Sequence, residues 1–379
     1  MPKAPLIALV AVIALVGLGF GGRAYATHAM SSRAVSAKTL GSSTPASVGI
    51  PFSRVAIERG NRTLIGWWVR ARADSGKTPP ALLFLHGNRS SISDYVTLQK
   101  FLYKQGISSL VFDYSGFGAS GGTPSLENAI QDAGAVAKVF ADSAGTAARK
   151  VAMGSALGAT VLLQAIDSVQ PHVNGVVLEG VTASVRESAV RDGRVPRIVA
   201  PLLVDIGDNV TAAREVKVPV LAVHSYADQR FPIEDAQRVV QAVPTQYSLV
   251  RHWRKGHSAL LASTRECDWD PVLKFVRTGA LPATRVDSTD QCVVAAQLAA
   301  AQKASVIPAG STKVVTPAPK AAASTKTSTV KPTTAKPSAA KTTAPKSTKT
   351  TKSTKTTRTS TSTKAPATRP KASTSTKKP

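Results

Sequence analysis

Short apolar runs alternate with longer amphipathic segments between residues 50 and 280. The short runs are rich in β-branched residues and most are apolar at both odd and even positions: 81–87, 108–114, 151–154, 174–180, 219–225 and 247–253. This pattern is typical of strands covered on both faces. The longer segments carry apolar residues at helical spacing: 92–104, 125–140, 156–168 and 233–242. The alternation predicts an α/β fold, with a doubly wound and mainly parallel sheet.

A different pattern precedes this alternation. Residues 55–58 and 64–71 are two strand-like runs separated by Gly60-Asn61. A Gly/Asn pair between β-rich runs favours a tight turn, so we predict a hairpin here.

The N-terminus begins with an uncharged apolar run. Residues 6–22 form seventeen such positions between Lys3 and Arg23. A spanning helix needs about 20 apolar residues, whereas a signal-peptide core is shorter and Ala24-Tyr25-Ala26 resembles a cleavage site. We therefore expect residues 1–26 to be a signal peptide or a retained membrane anchor. Either alternative predicts an exported or membrane-anchored protein that faces away from the cytoplasm.

The charge of the chain is concentrated at its C-terminal end. Residues 303–379 contain 17 Lys and Arg and no acidic residue, within a sequence of Lys, Thr, Ser, Pro and Ala. Such a composition predicts a disordered, extended tail. The rest of the chain has 31 basic and 22 acidic residues, so the pI of 10.4 does not indicate a basic folded nucleic-acid-binding domain.

The tail itself predicts binding to polyanions. Outside the cytoplasm these would be anionic envelope polymers or lipid head groups, and inside it nucleic acid. Two further segments complete the predicted organisation around the domain at 50–280: a linker at 27–49 and a C-terminal extension at 281–302.

Cys267 and Cys292 are the two cysteines of the chain. In an oxidising compartment they can form a disulfide, and in a reducing one they would remain free thiols. Two cysteines are too few for a four-cysteine zinc site, and the histidines have no metal-ligand spacing. The sequence predicts no metal and no cofactor.

Two loops after predicted strands carry residues suited to acyl chemistry. His86-Gly87-Asn88 follows the run at 81–85, where a tight turn can direct the backbone N–H of Asn88 at a developing oxyanion. The glycine-rich segment 112–122 follows the next strand and has neither the Walker nor the dinucleotide-binding spacing.

A third signal lies between a strand and a helix. Residues 154–158 are Gly-Ser-Ala-Leu-Gly, which fits the strand–turn–helix pattern of a nucleophile elbow with Gly154 and Gly158 two positions on either side of the apex. The apex is then Ala156. With Ser155 at the apex the flanking residues would be Met153 and Leu157, which are too bulky, so Ser155 remains only as an alternative nucleophile.

An acid and a histidine complete the set. Asp228 lies in the loop after the run at 219–225, and His257 follows the run at 247–253. The chain order of apex, acid and histidine is that of α/β-hydrolases.

Together, the motifs HGN, DYSGFG, GSALG and GHSALL with Asp228 resemble the α/β-hydrolase superfamily over about residues 50–280, particularly its small membrane-anchored or exported serine hydrolases. The resemblance implies that His257 is the general base and that Asp228 orients it. It also implies an oxyanion hole from the N–H groups of Asn88 and Leu157. The serine nucleophile of the family is replaced by Ala156.

In this family the region equivalent to 181–215 carries lid helices. Here it contains an apolar run at 198–204 and five arginines: Arg186, Arg191, Arg194, Arg197 and Arg214. The arginines indicate a solvated helix face, a pocket for acyl groups of anionic character, or contact with a membrane surface.

Three functions follow from these features. The first is an esterase- or lipase-type protein impaired in catalysis by Ala156 that still binds acyl-ester-like molecules. The second is a non-catalytic envelope or polyanion-binding protein acting through its basic tail. The third is an active hydrolase that uses Ser155.

Overall fold

The computed structural model describes residues 21–284 apart from 30, 33 and 73–77, together with 290, 292–293, 296–298 and 300. All of these residues belong to one compact unit, Met1–Ala309. The predictions for the basic tail, and for all of the apolar run except Gly21 and Gly22, lie outside the described residues. Within the described part, no helix is both long and apolar enough to cross a membrane.

An eight-stranded sheet forms the centre of the domain, with strand order β1-β2-β4-β3-β5-β6-β7-β8. The strands are β1 (Ser53–Arg59), β2 (Arg62–Val69), β3 (Ala81–Leu85), β4 (Ser108–Phe112), β5 (Lys150–Ser155), β6 (Gly175–Glu179), β7 (Val220–Ala227) and β8 (Tyr247–Lys255). β3 to β8 are parallel, whereas β2 pairs antiparallel with both β1 and β4. The predicted doubly wound, mainly parallel sheet is therefore confirmed.

The predicted hairpin is also confirmed. β1 and β2 pair in antiparallel register from Ser53↔Trp68 to Arg59↔Arg62, leaving Gly60-Asn61 as the turn. Gly60 has φ of 60°, a left-handed conformation that glycine adopts without a steric penalty.

Helices cover both faces of the sheet. They are α1 (21–29), α2 (Val96–Lys104), α3 (Leu126–Ala144), α4 (Leu157–Gln164), α5 (Ile166–Val169), α6 (Val185–Arg191), α7 (Asn209–Ala213), α8 (Ile233–Ala242) and α9 (Glu266–Thr278). Short 3₁₀ turns lie at Pro45–Val48, Ile92–Tyr95, Gln170–His172 and Ala200–Leu202. The predicted helix at 92–104 thus begins with a 3₁₀ turn, and that at 156–168 is divided into α4 and α5.

The sheet separates two hydrophobic cores. Alternate residues of β3 enter opposite cores, Leu83 and Leu85 on one side and Leu82 and Phe84 on the other. Because successive side chains of a strand point to opposite faces, a strand buried on both sides must be apolar throughout. All five residues of β3 are buried, which explains why its sequence lacks polar alternation.

The C-terminal extension is linked covalently to the domain. Cys267, in α9, and Cys292 form a disulfide with their Cα atoms 5.0 Å apart. The 281–302 segment is therefore connected to the helix that packs Trp269, Leu273 and Phe275 into the second core.

Candidate active site

The backbone between β5 and α4 makes a sharp turn at Ala156. Ala156 has φ of 51° and ψ of −106°, a conformation that residues with a Cβ rarely adopt and that costs of order 1–3 kcal/mol. The turn is fixed by hydrogen bonds from the Ala156 N–H to the Glu179 carbonyl and from the Ala159 N–H to the Ala156 carbonyl. The strained geometry of a nucleophile elbow is thus present, with an alanine at its apex.

Gly154 and Gly158 permit this turn because no side chain fits at either position. A Cβ on Gly154 would lie 2.4 Å from the carbonyl oxygen of Gly158, and a Cβ on Gly158 would lie 1.9 Å from that of Leu85. Both distances are far below van der Waals contact. The structure therefore places both glycines where the register centred on Ala156 requires them.

Asp228 and His257 form the acid–base pair. The Nδ1 atom of His257 lies 2.9 Å from Oδ2 of Asp228, and Oδ1 of Asp228 accepts the backbone N–H groups of Arg230 and Phe231. Burial raises the pKa of the Asp228 carboxyl, but the hydrogen bonds from His257 and from the two backbone N–H groups outweigh it, so the pKa is lowered. Asp228 thus stays ionised and orients the imidazole.

Two backbone N–H groups lie beside the apex. Leu157 is the first residue of α4, where an N–H has no acceptor within its own helix. Among the described residues, no acceptor is paired with the N–H of Leu157 or of Asn88. A Cβ on Gly87 would lie 3.9 Å from the Cβ of Ala156, so the loop that carries Asn88 faces the elbow. An oxyanion hole uses backbone N–H groups of this kind, so the oxyanion hole stays a prediction for Asn88 and Leu157.

A cavity of about 890 Å³ brings these residues together. Asn88, Ala156, Leu157 and His257 line one side of it. Most of the remaining wall is apolar and comes from the region at 181–215, from the loop after β7 and from α1. A largely apolar cavity that converges on a few polar groups is the usual form of a small-molecule site.

Residues 76–206 match the sequence profile of the family described as serine aminopeptidase, S33. The chain is 28% identical over 244 residues to the uncharacterized protein Rv2307c of Mycobacterium tuberculosis, covering 63% of this chain and 85% of that protein. It is 25% identical over 198 residues to the uncharacterized protein YfhR of Escherichia coli, covering 50% of this chain and 68% of YfhR.

Among solved structures, the esterase Pf2001 of Pyrococcus furiosus superposes with a TM-score of 0.52 at 20% identity. The match covers 64% of this chain and 97% of the esterase. The parallel sheet, the elbow and the match at 76–206 are those of the α/β-hydrolase superfamily.

In this α/β-hydrolase, Ser155 lies next to the apex but outside the cavity. It is the last residue of β5 and is 1% exposed. Its Oγ donates a 2.5 Å hydrogen bond to Oε2 of Glu179 and lies 3.2 Å from Oγ of Ser258. The hydroxyl of Ser155 therefore donates a structural hydrogen bond beneath the elbow.

Glu179 is a buried acidic residue beneath the elbow that the sequence analysis missed. It ends β6, is buried, and accepts hydrogen bonds from Ser155 and Ser258. Burial raises the pKa of its carboxyl, an effect that these hydrogen bonds and the nearby His257 only partly offset. A carboxyl at the end of an otherwise apolar strand was the signal available in the sequence.

The segment expected to be a linker, 27–49, contacts the hydrolase domain beside the site. The Asn88 side chain holds it, because Oδ1 accepts the Ser36 N–H at 2.7 Å and Nδ2 donates to the Ala34 carbonyl at 2.9 Å. The Arg89 N–H donates to the Ser36 carbonyl. We call residues 34–36 the N-terminal strap. The side chain of Val35 is buried in the first core, but a single apolar residue in a Ser/Ala-rich segment gives no periodic pattern from which the strap could be predicted.

The predicted lid region at 181–215 comprises α6, the 3₁₀ turn Ala200–Leu202 and α7. Arg191 fastens it to α8 through a 2.6 Å ion pair with Asp235. Burial raises the pKa of Asp235, but the hydrogen bonds from Arg191 and Thr182 outweigh it and lower the pKa. Arg186 donates to the Leu203 carbonyl, and Arg194 lines the cavity. Arg186, Arg191 and Arg194 thus make different contacts, and four of the five arginines are exposed: Arg191, Arg194, Arg197 and Arg214.

Proposed function

We propose that this protein binds acyl-ester-like molecules in the cavity beside His257 and does not hydrolyse them through a serine, because its elbow ends in Ala156. The observation that carries the proposal is the strained apex conformation of Ala156 within a cavity that also contains His257 and the N–H groups of Asn88 and Leu157. Without a hydroxyl at the apex, no acyl-enzyme can form there.

The alternative of an active enzyme using Ser155 has less support. Its hydroxyl is buried and hydrogen-bonded to Glu179, and Ser155 does not contribute to the wall of the cavity. A nucleophile has to reach both the general base and a substrate carbonyl placed in the oxyanion hole. The buried position of Ser155 favours contact neither with the general base nor with a substrate carbonyl.

A survey of ester hydrolysis tests the proposal. Acyl esters of short and long chain would be offered to the chain as written and to Ala156→Ser, and the binding of a non-hydrolysable acyl ketone would be measured for both. We expect comparable binding by the two proteins and turnover by Ala156→Ser alone. Efficient turnover by the unaltered chain that Ser155→Ala abolishes would overturn the proposal, as would a complete absence of acyl binding.

We further propose, from composition alone, that residues 303–379 bind anionic envelope polymers or lipid head groups outside the cytoplasm. The support is their 17 basic residues with no acidic residue and the apolar run at 6–22, which favours export or membrane anchoring. Deletion of 303–379 should abolish salt-sensitive binding to a soluble polyanion such as heparin. Equal binding by the shortened protein would contradict this assignment.

A further inference from the structure

Large apolar side chains are exposed on the lid region. Ile198 is 86% exposed, Leu202 66% and Val204 41%. Single exposed apolar residues are common on protein surfaces, but these three, together with Val199, lie within seven consecutive positions. A cluster of this kind indicates a surface that contacts something apolar.

The cluster borders the mouth of the cavity. Val199 and Leu203, from the same segment, line the cavity wall, and so does Tyr25 of α1, which is 76% exposed. The exposed apolar surface and the apolar interior are therefore continuous. An acyl chain could pass from an apolar phase outside the protein into the site without crossing a polar surface.

The charged residues within the segment 193–204 are two arginines. Arg194 and Arg197 precede Ile198, and no acidic residue occurs between Asp192 and Asp205. Asp192 pairs with Arg194, and Asp205 accepts hydrogen bonds from Ser184 and from the Arg186 N–H. Arginines that flank exposed aliphatic side chains match the boundary between head groups and acyl chains of an anionic bilayer.

The position of α1 in the chain also supports contact between the mouth of the cavity and a membrane. Tyr25, Ala26 and Ala29 of α1 line the cavity, and the apolar run at 6–22 leads directly into α1 in the sequence. The helix that follows a membrane-directed segment thus forms part of the same rim.

We propose that the lid surface formed by residues 194–204, with Tyr25 of a retained N-terminal segment, docks on an anionic lipid bilayer and lets the cavity take its acyl ligand from the lipid phase. The proposal rests on the proposed function only in its choice of an acyl ligand. Docking itself needs neither Ala156 nor His257.

The test must report on the lid, because the N-terminal run and the basic tail can bind membranes by themselves. A tryptophan introduced by Leu202→Trp in the full chain would be mixed with vesicles of phosphatidylglycerol and phosphatidylcholine whose acyl chains carry bromine, which quenches tryptophan at contact. The matched control is Tyr247→Trp. Tyr247 is 40% exposed at the start of β8, the opposite end of the parallel strands from the site.

When vesicles are added, the fluorescence contributed by the introduced tryptophan should fall in Leu202→Trp and stay unchanged in Tyr247→Trp. Adding Ile198→Glu should remove the quenching. Adding R194Q and R197Q should weaken its dependence on anionic lipid, by about fivefold for each arginine. Equal quenching at the two positions, or none at position 202, would overturn the proposal. Because no catalytic residue is changed, this failure is distinct from a failure to bind or hydrolyse acyl esters.

Discussion

The hydroxyl of Ser155 donates a 2.5 Å hydrogen bond to the buried carboxyl of Glu179. This bond lies directly beneath Ala156, whose N–H is bound by the Glu179 backbone carbonyl. Glu179 thus supports the elbow through both its main chain and its side chain. The serine next to the apex therefore makes a structural contact, which agrees with our proposal that it does not act as the nucleophile.

The raised pKa of Glu179 has consequences for stability. A carboxyl whose pKa is higher in the folded than in the unfolded state stabilises the fold in acid, and this contribution is lost as pH rises through the folded-state pKa. Glu179→Gln should therefore make the free energy of unfolding fall less between acid and neutral pH. Denaturant unfolding at a series of pH values measures this.

Asp228→Asn serves as the comparison because the pKa of Asp228 is lowered. Its contribution is present above the unfolded-state pKa and is lost as pH falls, so this variant should lose stability at neutral pH and little in acid. The same pH dependence in both variants would contradict the assigned directions.

The elbow glycines can be tested by adding a single methyl group. Gly158→Ala would put a Cβ 1.9 Å from the Leu85 carbonyl oxygen, and the forced separation of β3 and α4 should cost about 3 kcal/mol. Gly121→Ala is the control, since its Cβ would lie 3.6 Å from the nearest atom and should change stability by about 0.5 kcal/mol or less. Equal unfolding midpoints for the two variants would contradict the close approach of strand and helix.

Much of this architecture could be predicted from the sequence. Strands buried on both faces, such as β3, are recognisable in the sequence as continuous apolar runs. The elbow is recognisable because it requires glycines at fixed spacing. The pairing of Asp228 with His257 fits the expected order of the triad, and the structure gives its geometry. The contact of the Asn88 side chain with the N-terminal strap and the contact of Glu179 with Ser155 could not be predicted, because they depend on partners 52 and 24 residues away.

The N-terminal strap should affect catalysis once a nucleophile is supplied. In an Ala156→Ser background, Asn88→Ala keeps the backbone N–H of residue 88 but removes the hydrogen bonds to Ser36 and Ala34 that hold its loop. Displacement of this N–H should lower kcat/KM for an acyl ester by up to about 10²-fold, the effect of losing one oxyanion donor. Asn88→Asp keeps the Oδ1 acceptor and should lose less activity. If Asn88→Ala leaves kcat/KM unchanged, the strap does not position the oxyanion loop.

The disulfide gives a prediction about the C-terminal extension. With 24 residues between the two cysteines, cross-linking Cys267 to Cys292 should contribute roughly 3 kcal/mol in the chain-entropy model. The double variant Cys267→Ala/Cys292→Ala should lower the free energy of unfolding accordingly. Thiol labelling of the denatured, unreduced protein is the direct check, and two labelled cysteines would rule out the bond.

The proposed lack of serine-dependent hydrolysis depends on which residue occupies the apex of the elbow. Intact-mass analysis after treatment with a fluorophosphonate, which forms an adduct with activated serines, tests it most directly. We expect no adduct on the chain as written, one adduct on Ala156→Ser, and none on Ala156→Ser/His257→Ala. An adduct on the unaltered protein that maps to Ser155 and disappears in Ser155→Ala would contradict it.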